Sequence, residues 1–222
     1  MHTTGFYLGR IQNEQLQGYD AGKHGFMIIV GIGANLAHPA YGMPRRTCGA
    51  ALATLAEGPL QIAARSSWYA SAPVTRDGSA PSEEQPWYIN GAIAIDCELD
   101  ATMVLEELLG IERAFGRERS QPDAPRTLDL DILAFNDAVI DNTNLTIPHP
   151  RLYQRAFALL PIADIAPDWR HPVTGKLIGD LINELDEEQG IQPQPDAPGF
   201  MGTEWAADAS NQARFRRMKG LP

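Results

Sequence analysis

Between Phe26 and Phe135 the spacing of apolar and polar positions changes in an orderly way, and each change is punctuated by glycine, proline or a capping residue. Phe26 to Ile32 is a continuous apolar, β-branched run ending in the turn Gly33-Ala34-Asn35, which predicts a buried strand. Thr47 to Ala56 is small and apolar with Gly58 as its stop, the pattern of a short helix. Ile62 to Tyr69 predicts a second strand, and Tyr88 to Glu98, with alternating Ile89, Gly91, Ile93 and Ile95, a third. The intervening Ala70 to Pro86 carries Pro73, Gly78, Pro81 and Pro86 and reads as a long loop of the kind that forms a lid. Asp100 then caps a helix whose stripe Ala101, Val104, Leu108, Ile111 and Phe115 keeps three-four spacing until Gly116.

The last strand of the series contains Pro125-Arg126-Thr127-Leu128-Asp129-Leu130-Asp131-Ile132-Leu133. In an extended segment side chains alternate faces, so Asp129 and Asp131 share one face while Leu128, Leu130 and Ile132 share the other. Two carboxylates side by side on a partly desolvated strand repel, and each is costly to bury unless a cation neutralises it. Magnesium suits such a pair, being a hard cation that takes oxygen ligands and keeps phosphates and waters in its shell. Arg126 is placed to meet the phosphates. A lone Asp-x-Asp also fits a solvated strand end or a surface ion pair; the apolar residues packed around this one favour the metal.

The order strand, helix, strand, strand, helix, strand is the split βαβ arrangement, so the expected fold is α+β: a ferredoxin-like βαββαβ core, an antiparallel sheet covered by helices. Past it, Val139 to Asp141 reads as a small hairpin return from Phe135, Leu152 to Ile165 as a turn plus a helix, and Gly179 to Leu185 as a further helix, together a C-terminal helical extension. Residues 1–25 read as a disordered leader, or as the product of a start upstream of Met27; residues 26–187 form the expected domain. The stretch 188–222, with Gln192-Pro193-Gln194-Pro195 near its start, reads as a flexible linker and a weak amphipathic helix.

Charge narrows the function. A formal net charge of −10 argues against a general binder of nucleic acid or of membrane surfaces. Against that acidic background Arg113, Arg117, Arg119 and Arg126 fall within fourteen residues just before the two aspartates, which is how a phosphate site looks in sequence. Cys48 and Cys97 lie far apart in ordinary apolar segments and read as reduced packing residues of a cytoplasmic protein. No apolar run approaches the ~20 residues of a membrane span, and the first 25 residues lack the apolar centre of a secretory signal.

Pro125 to Asp131, together with Ile147-Pro148-His149-Pro150-Arg151 and Arg155-Ala156-Phe157, resembles the 6-hydroxymethyl-7,8-dihydropterin pyrophosphokinases, a folate-pathway family. The resemblance runs from about Met27 to Leu185 and is strengthened by Gly31-Ile32-Gly33-Ala34-Asn35-Leu36, Trp87-Tyr88-Ile89-Asn90, Ile111-Glu112, Gly116-Arg117 with Arg119, and Pro161 to Pro167. It implies transfer of diphosphate from ATP to the pterin hydroxymethyl oxygen with release of AMP; the protein is expected to be a monomer. It further implies two Mg2+ ions on Asp129 and Asp131, with Arg117 and Arg126 at the transferred phosphates. Glu112, Arg119, Thr146, His149 and Arg155 would bind ATP. Tyr88 and Phe157 would stack on the pterin, Asn90 would read its edge, and Ala72, Pro73 and Val74 would supply backbone and walls.

Taken singly, these residues have plainer readings. Tyr88 and Phe157 fit core aromatics, His149 a turn, Asn90 a backbone partner, Glu112 a surface helix residue, and the arginines a solvated helix end. One departure stands out: many members carry Arg-Trp-Gly-Pro-Arg before the aspartates, where this chain has Gln121-Pro122-Asp123-Ala124-Pro125-Arg126, so an aromatic and one arginine of the closing loop are missing. The alternative this leaves is a non-catalytic nucleotide-binding domain of the same fold. An RNA-recognition module shares the order of elements, but the acidic charge and the lack of an aromatic-rich basic motif on a central strand tell against it.

Overall fold

The computed structural model describes residues 27–73, 85–117, 124–186 and 189–206. β1 (Ile28–Ala34) lies between β5 (Asp129–Phe135) and β4 (Tyr88–Asp96). On the far side of β4 run β2 (Gln61–Arg65) and β3 (Trp68–Ser71), and β8 (Ile191–Gln194) closes the edge against β3. Every pairing is antiparallel. With helix α1 (Pro44–Ala56) after β1 and α2 (Ala101–Ala114) after β4, this is the expected ferredoxin-like α+β core.

Alternation along the strands sorts side chains into two cores. Ile28, Val30 and Ile32 of β1, Ile93 and Ile95 of β4, and Leu130 and Ile132 of β5 meet α1 and α2 on one face. Ile29, Ala92, Ala94, Leu133 and Ala134 meet α3 (Ala156–Ile165), α4 (Ile178–Asn183) and Trp169 on the other. A β-bulge in the β1–β5 ladder makes Leu133 and Ala134 both face this second core.

Local chemistry explains where elements start and stop. α1 begins three residues before the expected Thr47 because Pro44, whose fixed φ suits a first turn, opens it. Asp100 caps α2 as expected, its carboxylate accepting Met103 N–H at 2.9 Å. The single second strand expected over 62–69 is divided: the Ser66 hydroxyl takes the Ala92 N–H at 2.9 Å, so the ladder breaks between β2 and β3. β1 continues through the expected turn to Ala34, because Gly33 and Ala34 still pair with Asn90 and Ile89. The small hairpin pairs β6 (Ile140–Asp141) with β7 (Thr146–Ile147), not with Phe135, and Asn142 closes it by accepting the N–H groups of Asn144 and Leu145.

The largest difference lies after residue 188. Ile191–Gln194 is an edge strand, which tolerates Pro193, and the chain then folds under α1, where Met201 and Trp205 join the first core and Thr203 is buried. Up to residue 206 this segment is part of the domain and not a flexible tail. The expected leader and the last residues, 207–222, lie outside the described residues, as do Val74 and Arg119. No helix among the described residues is long and apolar enough to cross a membrane.

Candidate active site

The second core stops short of one end of the sheet. There β1 presents Gly31 and Gly33, β5 Asp129 and Asp131, and β4 Asn90, and these residues floor a cleft walled by His149, Arg155 and Phe157. The cleft widens to about 620 Å³ where Ser71, Ala72, Gln85, Tyr88, Arg126 and Arg151 complete it. Gly31 is the register partner of Asp131 and Gly33 of Asp129, so the strand beside the carboxylates has no side chains to fill the floor.

Asp129 is held by two arginines. Arg126 Nη1 donates to Oδ2 at 2.7 Å, and Arg117 Nη1 stands 2.6 Å from Oδ1 as an ion pair. The approach of Arg117 lacks hydrogen-bond alignment, and Oδ1 is a buried acceptor with no donor of its own. Burial first, then repulsion from Asp131, raises the Asp129 pKa against the pull of the two guanidiniums. Asp131 has no ion pair among the described residues. A carboxylate oxygen that accepts no hydrogen bond, beside a second carboxylate with no ion pair among the described residues, fits a hard cation that brings its remaining ligands from phosphate and water. No third acid, histidine or cysteine joins them within the described residues.

Arg117 reaches this position because α2 ends in a left-handed turn. Gly116 has φ +69°, a conformation that costs glycine little, and Arg117 N–H bonds back to the Glu112 carbonyl at 3.0 Å. The Arg117 side chain then pairs with the Glu112 carboxylate as well as with Asp129. Glu112 is 2 % exposed and no surface residue; its Oε1 also accepts the N–H of Leu130 on edge strand β5, at 2.7 Å. Burial outweighs these contacts and pushes its pKa up to about 7.

Arg126 is anchored by Asn35, which the sequence marks as part of a turn and of the first-strand motif but gives no role in the site. Asn35 Oδ1 accepts Arg126 N–H at 2.8 Å, Asn35 Nδ2 donates to the Pro86 carbonyl at 3.1 Å, and the Asn35 and Leu36 amides both donate to the Arg126 carbonyl. One buried asparagine thus ties the end of β1 to the segments that carry Arg126 and Tyr88. Ser71, equally unmarked in sequence, accepts from Asn90 Nδ2 at 2.9 Å and fixes that carboxamide. Asn90 is 5 % exposed, and its Oδ1 lies over Gly33.

Across the cleft, His149 accepts Arg151 N–H through Nδ1 at 3.2 Å, which leaves Nε2 as the protonated nitrogen of the neutral ring. Burial, with Arg155 and Arg151 nearby, lowers its pKa to about 4. Arg155 lies over the Phe157 ring at 5.2 Å. Burial raises the Tyr88 pKa and keeps it a neutral phenol. Of the other expected residues, Ala72 lines the cleft, and Pro73 is buried beside it without lining it. Thr146 sits in the β6–β7 hairpin, outside the lining, with Oγ1 3.5 Å from Asp141 Oδ1.

The cleft therefore joins a carboxylate pair and several arginines to a buried amide and two aromatic rings, and known proteins can be set beside it. Residues 29–167 match the family described as 7,8-dihydro-6-hydroxymethylpterin-pyrophosphokinase (HPPK). A 2-amino-4-hydroxy-6-hydroxymethyldihydropteridine pyrophosphokinase of Synechocystis sp. is 39% identical over 159 residues, 71% of this chain and 75% of that protein. The protein of the same description from Pseudomonas aeruginosa is 38% identical over 171 residues, 77% of this chain and 98% of that one. A crystal structure of Plasmodium falciparum HPPK-DHPS with pteroate shares the fold, with a TM-score of 0.54 at 16% identity over 71% of this chain and 42% of that one. The matched residues contain β1, the Asp129–Asp131 strand and the His149–Phe157 wall, and on these grounds the chain belongs to the 7,8-dihydro-6-hydroxymethylpterin-pyrophosphokinase family.

Proposed function

We propose that this protein transfers diphosphate from ATP to the hydroxymethyl oxygen of 6-hydroxymethyl-7,8-dihydropterin in folate synthesis, releasing AMP. The observation that carries the reading is Asp129 and Asp131, side by side on β5 in a cleft that also holds Tyr88, Asn90 and Phe157. A non-catalytic nucleotide-binding domain would have no use for the aromatic pair and the buried amide at the far end. In this reading the protein works as a monomer in the cytoplasm.

The hydroxymethyl oxygen attacks the β-phosphorus in line and gives its proton to solvent water, while the bond from that phosphorus to the oxygen bridging it to the α-phosphorus breaks and AMP departs. Asp129 and Asp131 would hold two magnesium ions, which would supply charge neutralisation for the triphosphate and polarisation of the β-phosphoryl group. Arg117 and Arg126 grip the transferred phosphates from the β5 side, and Glu112 keeps Arg117 aimed. His149, neutral above about pH 4, donates Nε2–H to a phosphate oxygen without adding charge, and Arg155 supplies the cation on that wall. The resemblance assigns Arg119, which lies outside the described residues, and Thr146, which lies outside the cleft lining, to ATP as well. Tyr88 and Phe157 sandwich the flat pterin, and Asn90, its Nδ2 engaged by Ser71, turns its carbonyl oxygen to the donors on the ring edge. Ala72 forms part of the rim. Most of the rate comes from positioning and preorganised charge.

The test is to incubate the protein with ATP, Mg2+ and 6-hydroxymethyl-7,8-dihydropterin and follow AMP by chromatography. Pterin-dependent AMP is expected. ATP binding without AMP at high enzyme concentration overturns the proposal in favour of the non-catalytic domain.

A further inference from the structure

Residues beyond the family match, which ends at 167, return to the segments that wall the cleft at Gln189 and Gly190. Gln189 Oε1 accepts Ala156 N–H at 2.8 Å, and its Nε2 donates to the Gln154 carbonyl at 3.0 Å. Ala156 opens α3, so its N–H is one of the amides a helix cannot satisfy from within. Arg155, the residue at the N-cap position, gives no side-chain bond there. The cap is supplied from 33 residues further along the chain. It sits one residue before Phe157 and one after Arg155, both of which line the cleft.

The next residue works on another part of the lining. The Gly190 carbonyl accepts Ala72 N–H at 2.8 Å, extending the ladder in which Ile191 pairs with Ser71 and Gln192 with Ala70. The approach is close: a Cβ at Gly190 would lie 3.3 Å from Ala72 Cβ and 3.7 Å from the Trp87 ring. Ser71, the partner of Asn90, and Ala72 belong to the β3 side of the cleft, and Phe157 belongs to α3. Two consecutive residues therefore bond to both.

We infer that Gln189 and Gly190 form a clip that sets the spacing between the β3 and α3 sides of the cleft, and that Gln189 is a positioning residue for the pterin. The inference rests on the reading of Tyr88, Asn90 and Phe157 as the pterin subsite. Gln189 acts through the amide of Ala156 and need not touch the substrate. The clip spans the interval in which a flat heterocycle must fit between rings, where a small change of spacing weakens stacking on both faces.

The test uses the full chain with Gln189→Ala and Gln189→Glu, measuring KM for pterin and kcat at saturating ATP, with pterin Kd from fluorescence titration and Tm alongside. Loss of one cap is expected to raise KM and Kd for the pterin about fivefold in Gln189→Ala, with kcat within about twofold. Gln189→Glu keeps an oxygen for Ala156 N–H and places negative charge at a helix N-terminus, but it loses the donor to the Gln154 carbonyl, so it should recover the pterin values only in part. Unchanged pterin KM and Kd in Gln189→Ala, or a lower kcat and Tm at constant KM, overturn the inference and leave the proposed function standing. Wild-type protein that binds no pterin overturns the proposed function, and the clip's role with it.

Discussion

Gly33 on β1 stands directly across from Asp129 on β5. Across its other ladder the same glycine partners Asn90, and a Cβ on it would lie 3.1 Å from Asn90 Oδ1. Its lack of a side chain keeps open the floor between the carboxylates and the amide. Gly33→Ala should push the Asn90 carboxamide off its line to the pterin and raise the pterin KM by roughly tenfold, worth about 1.4 kcal/mol. Gly31→Ala is the comparison: its Cβ would press on the Leu133 side chain, 3.2 Å from Cδ1 and 3.3 Å from Cγ, and not on the amide. Steady-state kinetics on both variants should show the larger pterin effect at Gly33, and equal KM values would show that the amide is not positioned this way.

The two aspartates should separate stability from turnover. Asp129 pairs with Arg117 and Arg126, so Asp129→Asn leaves both guanidiniums facing an amide and should lower the Tm relative to Asp131→Asn. Asp131 has no ion pair among the described residues and repels Asp129, so Asp131→Asn should leave Tm unchanged or raise it. Both should lose at least about a hundredfold in turnover if the pair holds the metal. Thermal melts beside AMP assays check this. A stable Asp129→Asn protein would show the arginine clamp to be incidental, and an active Asp131→Asn protein would remove the metal reading.

Much of this floor was legible in the sequence, because alternation alone puts Asp129 and Asp131 on one face and Leu128, Leu130 and Ile132 on the other. The β1 glycines were visible as a motif, but their use emerges only from register. Asn35 and Ser71 were not legible as site residues, since their partners Arg126, Pro86 and Asn90 are fixed by tertiary contact. The misread tail has the same cause. Gln192-Pro193-Gln194-Pro195 has linker composition, and Met201 and Trp205 follow no period; they are core residues because Trp68 Nε1 donates to the Met201 carbonyl at 2.9 Å and Arg45 reaches the carbonyls of Gly202 and Pro195. Residues docked singly leave no pattern to read.

Glu112 should give the free protein a measurable pH dependence of stability. Its pKa of about 7 in the folded state lies above the ordinary 4.5, so the folded protein holds this proton more tightly than the unfolded chain. The resulting stabilisation is fully present below pH 4.5 and is lost as the pH rises through 7. His149 acts oppositely, losing stability as the pH falls from 6.5 towards 4, but it is shared by wild type and variant and cancels in their comparison. The Tm of Glu112→Gln relative to wild type should therefore rise between pH 4.5 and pH 8, since glutamine keeps an oxygen for Leu130 N–H and does not titrate. A constant difference across that range would mean that Glu112 is ionised throughout.

Gly49 tests whether the C-terminal strap contributes to the fold. It lies inside α1, where alanine is favoured over glycine by about 1 kcal/mol. A methyl group there, however, would overlap Thr203 Oγ1 and come within 2.6 Å of Trp205 Cβ, and both belong to the strap, with Thr203 wholly buried and Trp205 4 % exposed. Helix propensity and overpacking thus oppose each other at one position, and overpacking of this severity typically costs ~1–3 kcal/mol. If the strap is docked as described, Gly49→Ala lowers the urea midpoint, and the added variant Thr203→Gly recovers part of the loss by clearing the overlap. If the strap only rests on α1, Gly49→Ala should instead stabilise the protein by the propensity difference, so the sign of the shift decides between the two.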